Sequence, residues 1–287
     1  MKSALTIAPT PFKQIAQAFL KQIGLYQRLR SSCIYDWYWA FANPRLIADR
    51  TKEIRFYRTA LEGFQKGSVI FDIGANIGYK TDIFLRLGAK VIAVEPDEIN
   101  QEVLRKRFRR NRLFPKPVSI EGKAVSDNVG MMTLWIDAPG SALNTLNPKW
   151  ADELRSNDTR FGHRFDFALE KTVETTTLDK LITRHGCPFY IKIDVEGHEL
   201  NVLRGLKHHV PYLSFEVNLP GFKNEGLECI QILARIAADG EFNYAADCHH
   251  GLALEKWTPA MAFIQTFEQC KEPSVEIFWR TPKRFQP

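Results

Sequence analysis

The chain has 287 residues, 45% apolar and 25% charged, an ordinary soluble globular composition that can close a core without disulfides or structural metal. The net charge of +6 is modest and partly gathered in the run Arg105–Arg112, which reads as a solvated helix face; no basic stretch interleaved with aromatics marks a nucleic-acid surface, so nucleic acid is not an expected partner. The five scattered cysteines form no Cys-x-x-Cys pair, and neither a signal-peptide core nor an apolar run near the roughly 20 residues of a membrane span is present, which leads us to expect a cytoplasmic protein.

Residues 1 to about 60 read as a helical N-terminal extension, with Phe12, Ile15, Phe19, Ile23 and Leu25 forming an apolar stripe among basic residues. Such a helix packs on a core or lies on a membrane surface. The aromatic segment Tyr35–Phe41 is expected to pack against the main domain, residues 61–287. There, strands alternate with helices. A strand at Ser68–Ile73 leads to a helix from about Gly78 to Leu87, a second strand at Lys90–Glu95 to a helix from about Asp97 to Asn111, and a third strand spans Pro117–Glu121. This order predicts a parallel, doubly wound sheet with right-handed crossovers.

Met131–Ile136 and Thr172–Thr176 read as strands enclosing an irregular excursion, 137–171, long enough to serve as a lid or acceptor-binding insertion. The parallel pattern resumes with a strand at Phe189–Asp194, a helix over about 197–206, a strand at Tyr212–Val217 and a helix over about 226–238. Phe242–Ala246 and Val275–Trp279 close the chain, with no helix between them clear enough to require a crossover, so the last strand is expected to be antiparallel.

The chemistry-bearing segment is Val69–Gly78, where a buried strand passes through a glycine loop into a helix N-terminus. Gly74 and Gly78 let the backbone turn and approach a ligand closely. Asp72 stands at the strand end, where open α/β sheets bind ligands, and Glu95 ends the second strand in a position suited to ribose hydroxyls. The glycine spacing is Gly-x-x-x-Gly, with Asn76 where a pyrophosphate would need close approach, and Asp72 adds a negative charge. A carboxylate suits the ammonium end of S-adenosylmethionine (SAM) better than a pyrophosphate.

Several stretches together resemble the FkbM-type methyltransferases: Phe71–Gly78, Val94–Pro96, Ala124–Asp127, Thr177–Asp179, Ile191–Glu199 and Glu216–Asn218. The resemblance spans about residues 55 to 220 and is most specific at 191–199. It implies a Rossmann-like class I methyltransferase fold, a mostly parallel seven-stranded sheet with its last strand antiparallel, that uses SAM and most often methylates hydroxyls of sugars or glycosylated metabolites. It places Asp72, Gly74, Asn76 and Gly78 at the methionine and ribose part of SAM, Glu95 at the ribose, and Ser126 and Asp127 at the adenine edge. Asp127 equally suits a turn before Val129-Gly130.

Asp194 and Glu196 stand two apart at the end of the fourth parallel strand, and His198 follows. Carboxylates so placed can orient an acceptor, take a proton or, with Glu216 as a partner of Asp194, hold a divalent cation. His198 titrates near neutral pH; either it or Asp194 is the expected proton acceptor. The same residues could instead supply only a helix start. Trp150 or Phe161 could stack on a sugar ring. The expected reaction is methyl transfer from SAM to a hydroxyl of a small-molecule or glycan acceptor. The rivals are a SAM-binding module without turnover and a nicotinamide-dependent oxidoreductase on the same topology.

Overall fold

The computed structural model describes residues 44–109, 117–156 and 165–281. The chain falls into two compact units, Met1–Asp49 and Arg50–Pro287. Of the first, the described part is the opening of helix α1 (Pro44–Ala60). The expected amphipathic stripe, the Tyr35–Phe41 segment and Phe161 lie outside the described residues.

In the second unit, short β-branched runs alternate with capped helices. Strand β1 (Val69–Ile73) feeds helix α2 (Tyr79–Leu87), which is bracketed by Gly78 at φ 83° and Gly88 at φ 94°. Strand β2 (Lys90–Val94) feeds helix α3 (Glu98–Arg107), whose N-cap Asp97 accepts a hydrogen bond from Ile99 N at 2.8 Å. Strands β3 (Val118–Glu121), β4 (Ala124–Val125) and β5 (Gly130–Ile136) follow, then helix α4 (Pro148–Ser156) and strand β6 (Leu169–Thr176). Thr177 caps helix α5 (Leu178–His185) by accepting from Lys180 N. Strand β7 (Tyr190–Ile193), helix α6 (Glu199–Arg204), strand β8 (Tyr212–Asn218), helix α7 (Lys223–Ile236) and strand β9 (Glu241–Ala245) continue the alternation. The chain closes with β10 (Thr258–Pro259), helix α8 (Ala260–Glu268) and β11 (Ser274–Arg280).

The main sheet has eight strands in the order β10-β9-β11-β8-β7-β1-β2-β3. Pairs β8-β7, β7-β1, β1-β2 and β2-β3 are parallel. The last strand is antiparallel, as expected, and it lies between β8 and β9 rather than at the rim. The eighth strand is the two-residue β10, too short to be read from sequence. Because the strands have period two, each face of the sheet buries its own set of side chains. Ile70 and Tyr190 pack with Tyr57 of α1 and Phe84 of α2, whereas Phe71, Ile73, Ile191, Ile193 and Phe215 pack beneath α5, α6 and α7. Among the described residues no helix is long and apolar enough to cross a membrane.

Three expectations change. The excursion after β5 is not wholly irregular: it contains α4, which starts at a proline in a favoured first-turn position and buries Trp150, Ala151 and Leu154. Strands β5 and β6 pair antiparallel and, with β4, form a separate three-stranded sheet, β4-β6-β5. The connection between β9 and β11 carries the nine-residue α8, whose Phe263 stacks on Phe242 of β9.

Candidate cofactor and acceptor site

A cleft of about 330 Å³ opens at the carboxyl ends of β1, β2 and β7. Its floor is the loop after β1. Gly74 has φ 80°, and a Cβ there would lie 1.8 Å from the carbonyl oxygen of Asp194, so the loop crosses the end of β7 only because position 74 has no side chain. Asn76 is also left-handed, at φ 48°, a conformation asparagine tolerates better than most residues; its Oδ1 accepts from Ile77 N. Gly78 serves packing instead. A Cβ there would meet Phe108 Cε2 at 2.4 Å and Leu104 Cδ2 at 2.7 Å, so its bare backbone lets α2 start against α3. Arg107, within the basic run expected to be solvated, donates to Ile77 O at 3.0 Å and lies over the Tyr79 ring.

Glu95 closes β2 and is 6% exposed. Its Oε2 accepts from Asn76 N at 2.8 Å and its Oε1 from Asp97 N at 2.9 Å. Burial pushes its carboxyl up to about 7, despite the two backbone donors. Asp72, buried at the end of β1, accepts from Thr81 Oγ1 at 2.5 Å; burial raises its carboxyl too, against the pull of the Lys192 charge. Asn100 was not anticipated. Its side chain lines the cleft from α3, and its buried Oδ1 has no hydrogen-bond partner among the described residues. Buried polar atoms rarely stay unpaired, so this oxygen invites a ligand donor.

The opposite wall comes from the small sheet and the excursion: Lys123, Ala124, Val125, Leu134, Ser141, Ala142, Asn144 and Leu146. Asp97 secures that wall, its Oδ2 accepting from Gly140 N at 3.0 Å and from Asn144 Nδ2 at 2.8 Å. Ser141 and Asn144 bring a hydroxyl and an amide to this wall. Trp150 does not serve as a sugar platform, because it is buried and packs edge-on against Phe222.

Asp194 and Glu196 complete the cleft. Glu196 has φ 53°, and the excursion grips its loop: Thr145 Oγ1 donates to Glu196 O at 2.7 Å and Asn147 Nδ2 to Gly197 O at 2.5 Å. Burial and the neighbouring charges of Asp194, Glu216 and Glu199 push the Glu196 carboxyl well up. Asp194 goes the other way. Burial acts to raise it, but the Lys192 charge and hydrogen bond outweigh that and hold it below the usual carboxylate range. Glu216 hydrogen-bonds to Asp194, and burial together with the Asp194 charge pushes it up to about 8, so the proton of this pair rests on Glu216.

At Asp194, the residue paired with Glu216 in the divalent-cation alternative, the Lys192 ammonium lies 2.7 Å from Oδ2. Among the described residues no group of three His, Cys, Asp or Glu side chains is arranged as a metal site.

Besides Gly78, three sequence candidates fall outside the cleft wall. Ser126 and His198 are buried against each other, Oγ to Nε2 at 3.1 Å, and burial pushes His198 down to about 4, so it is neutral at physiological pH. His198 is thus held in the core by a hydrogen bond, off the cleft wall. Asp127 is exposed and accepts from Ser126 Oγ and Asn128 Nδ2, which is the turn chemistry that competed with the adenine reading. Lys123–Val125, just before them, line the cleft instead.

A parallel sheet with an antiparallel strand inserted beside β8, and a nucleoside-sized cleft at its glycine loop, define the class of SAM-dependent methyltransferases. The chain belongs to the FkbM methyltransferase family, whose domain model, described as "Methyltransferase FkbM domain", matches residues 72–242. No curated protein matches the chain.

Among solved structures it is similar to the precorrin-6y C5,15-methyltransferase of Geobacter metallireducens, at 10% identity over 81% of this chain and 88% of that one, with a TM-score of 0.40. It is similar also to a TehB-like SAM-dependent methyltransferase of Corynebacterium glutamicum (11% identity, 88% and 100% covered, TM-score 0.39). A third similar structure is a plantazolicin methyltransferase in complex with SAH (11% identity, 94% and 99% covered, TM-score 0.40).

The cleft fits SAM by its own chemistry. Gly74 leaves the space a Cβ would fill, Glu95 presents a carboxylate, Asn100 offers an unpaired acceptor, and Ala124, Val125 and Leu146 supply an apolar wall.

Proposed function

We propose that this methyltransferase acts on a hydroxyl of a sugar or glycosylated metabolite and that Asp194 receives the hydroxyl proton. The observation that carries the reading is the position of Asp194: a carboxylate kept charged by Lys192, in the same cleft as the Gly74 loop. When bound, SAM supplies an electrophilic methyl on a good leaving group, so the chain's task is alignment and proton removal. Glu95, Asn76, Asn100 and the Gly74 backbone would hold the nucleoside and amino-acid parts, with Asp72 acting through its fixed position beneath the loop. A sugar hydroxyl is almost wholly protonated at neutral pH, so an unprotonated base beside it speeds the transfer.

Among the sequence candidates for that role, Asp194 both faces the cleft and stays ionised; Glu196 is pushed toward its neutral form and suits donating a hydrogen bond to an acceptor oxygen. Ser141 and Asn144 give the acceptor side polar groups that match a polyhydroxylated ligand.

The test is incubation with isotopically labelled SAM and separate pools of glycans, glycosylated small molecules and amine-bearing peptides. Label on hydroxyl oxygen of the first two supports the reading, and label confined to nitrogen refutes it. The Asp194→Asn variant is expected to lower kcat by roughly 10²- to 10⁴-fold while SAH still binds.

A further inference from the structure

Lys192 lies in the middle of β7, between Ile191 and Ile193, and is 3% exposed. A lysine is almost never buried this fully unless it is paired. Its register neighbours are Asp72 on β1 and Ser214 on β8. Its ammonium donates to Asp194 Oδ2 at 2.7 Å, and Ser214 Oγ donates to Glu276 Oε1 at 2.6 Å on the adjoining strand. Asp194 after β7, Glu276 on β11 and Asp72 on β1 thus act on one cation beneath the cleft.

We propose that Lys192 is a positioning residue for methyl transfer, a built-in counter-cation that holds the Asp194 carboxylate charged and fixed at the cleft wall. The inference rests on the reading of Asp194 as proton acceptor.

The charged groups facing Asp194 are Lys192 on its own strand, Asp72 on β1, Lys80 on α2, Glu216 on β8, Glu276 on β11, and Glu196 and Glu199 following it in the chain. Of the two cations, Lys80 is already paired with Glu53 at 3.0 Å. Lys192 alone of these makes a direct ion pair with Asp194. Its removal leaves burial and the acidic charges, which favour the protonated form, opposed only by the Glu216 hydrogen bond and the Lys80 charge, both smaller than the Lys192 contribution. Glu216 would not replace it, since Glu216 donates a hydrogen bond and brings no positive charge.

The experiment uses full-length protein labelled at aspartate carboxyl carbons and saturated with SAH. The Asp194 signal is assigned by its loss in Asp194→Asn and titrated in the wild type and in Lys192→Met, whose unbranched side chain preserves most of the buried stem. The expected result is a wild-type midpoint below the usual carboxylate range and a midpoint higher by about one to three pH units in Lys192→Met. The acid limb of kcat should move upward with it, so that turnover lost at low pH returns at high pH, a behaviour that a merely damaged fold would not produce. The same midpoint in both proteins overturns the proposal. A wild-type midpoint at or above the usual range also overturns it, and that measurement decides the matter even if Lys192→Met does not fold. Full turnover by Asp194→Asn would instead sink the proton-acceptor reading on which the proposal rests.

Discussion

Replacing Glu95 by glutamine separates the stability cost of the cleft from its use. In the folded chain this carboxyl titrates at about 7, against 4.5 for a free glutamate side chain, because burial penalises its charge. A raised folded value means that the native state binds the proton more tightly than the unfolded chain. The resulting stabilisation is fully present at low pH and is lost as pH rises from the unfolded value through the folded one. Linkage applied to these two values gives a loss of about 2 to 3 kcal/mol between about pH 5 and about pH 8.

Glutamine cannot ionise, so this component vanishes. It has only one acceptor oxygen, however, for two donors, Asn76 N and Asp97 N. Stranding one of them costs about 1 to 3 kcal/mol at every pH. Glu95→Gln should therefore be the less stable protein at low pH, and the gap should close or reverse at high pH. Glu199 and Glu216 carry shifts of the same sign, but they are present in both proteins and cancel in the comparison. Urea denaturation of both proteins at the two pH values measures the difference, and calorimetric titration with SAM should show affinity at least about tenfold weaker in the variant. Parallel pH profiles, or undiminished SAM affinity, would refute the assignment of Glu95 as a buried ligand-facing carboxylate.

Gly74→Ala should cost about 1 to 2 kcal/mol for a left-handed alanine and about 1 to 3 kcal/mol more for overpacking against Asp194 O, with loss of SAM binding. Gly186→Ala, at φ 86° with nothing nearby, should show the conformational cost alone in the same denaturation assay. Burial pushes His198 down to about 4 from 6.5, so its own contribution to wild-type stability is lost as pH drops through that window. His198→Gln should remove up to about 3 kcal/mol of acid sensitivity and leave the shape of the kcat–pH profile unchanged; a lost neutral limb would restore His198 as the base. Asn100→Ala should weaken SAM binding by about tenfold with little change in kcat, read by calorimetry and initial rates, since it deletes an unpaired acceptor and the Asn100 hydrogen bond to Glu95.

What the sequence made legible is local. The run Val69–Gly78 carries strand, turn and helix start within ten residues, and Glu95 ends a strand whose β-branched positions declare it. Both lie at the carboxyl edge of a parallel sheet, where the topology itself makes a crevice. Asn100 left no local trace, because its value depends on α3 lying across β2 from the glycine loop. Ser126 and His198 lie off the cleft wall for a related reason. Proximity to a strand end says that a side chain is near the crevice, but the turn that follows decides whether it points inward, and here both point into the core. Helix α4 was hidden because only Trp150, Ala151 and Leu154 mark its buried face.

Lys192 did leave a signal. A charge flanked by isoleucines in a central parallel strand has no water to turn to, since such strands are buried on both faces. It must therefore be met by opposite charge from the adjoining strands. Period two then determines which groups meet it: Asp72 and Ser214 are its register partners, and Asp194, two residues on and just past the strand, shares its face. Ile191 and Ile193 turn to the other face and join the apolar core there. The electrostatics of the cleft are thus anchored in the sheet rather than in its loops. A substitution in β7 that keeps the alternation but discards the charge should alter the chemistry before it alters the fold.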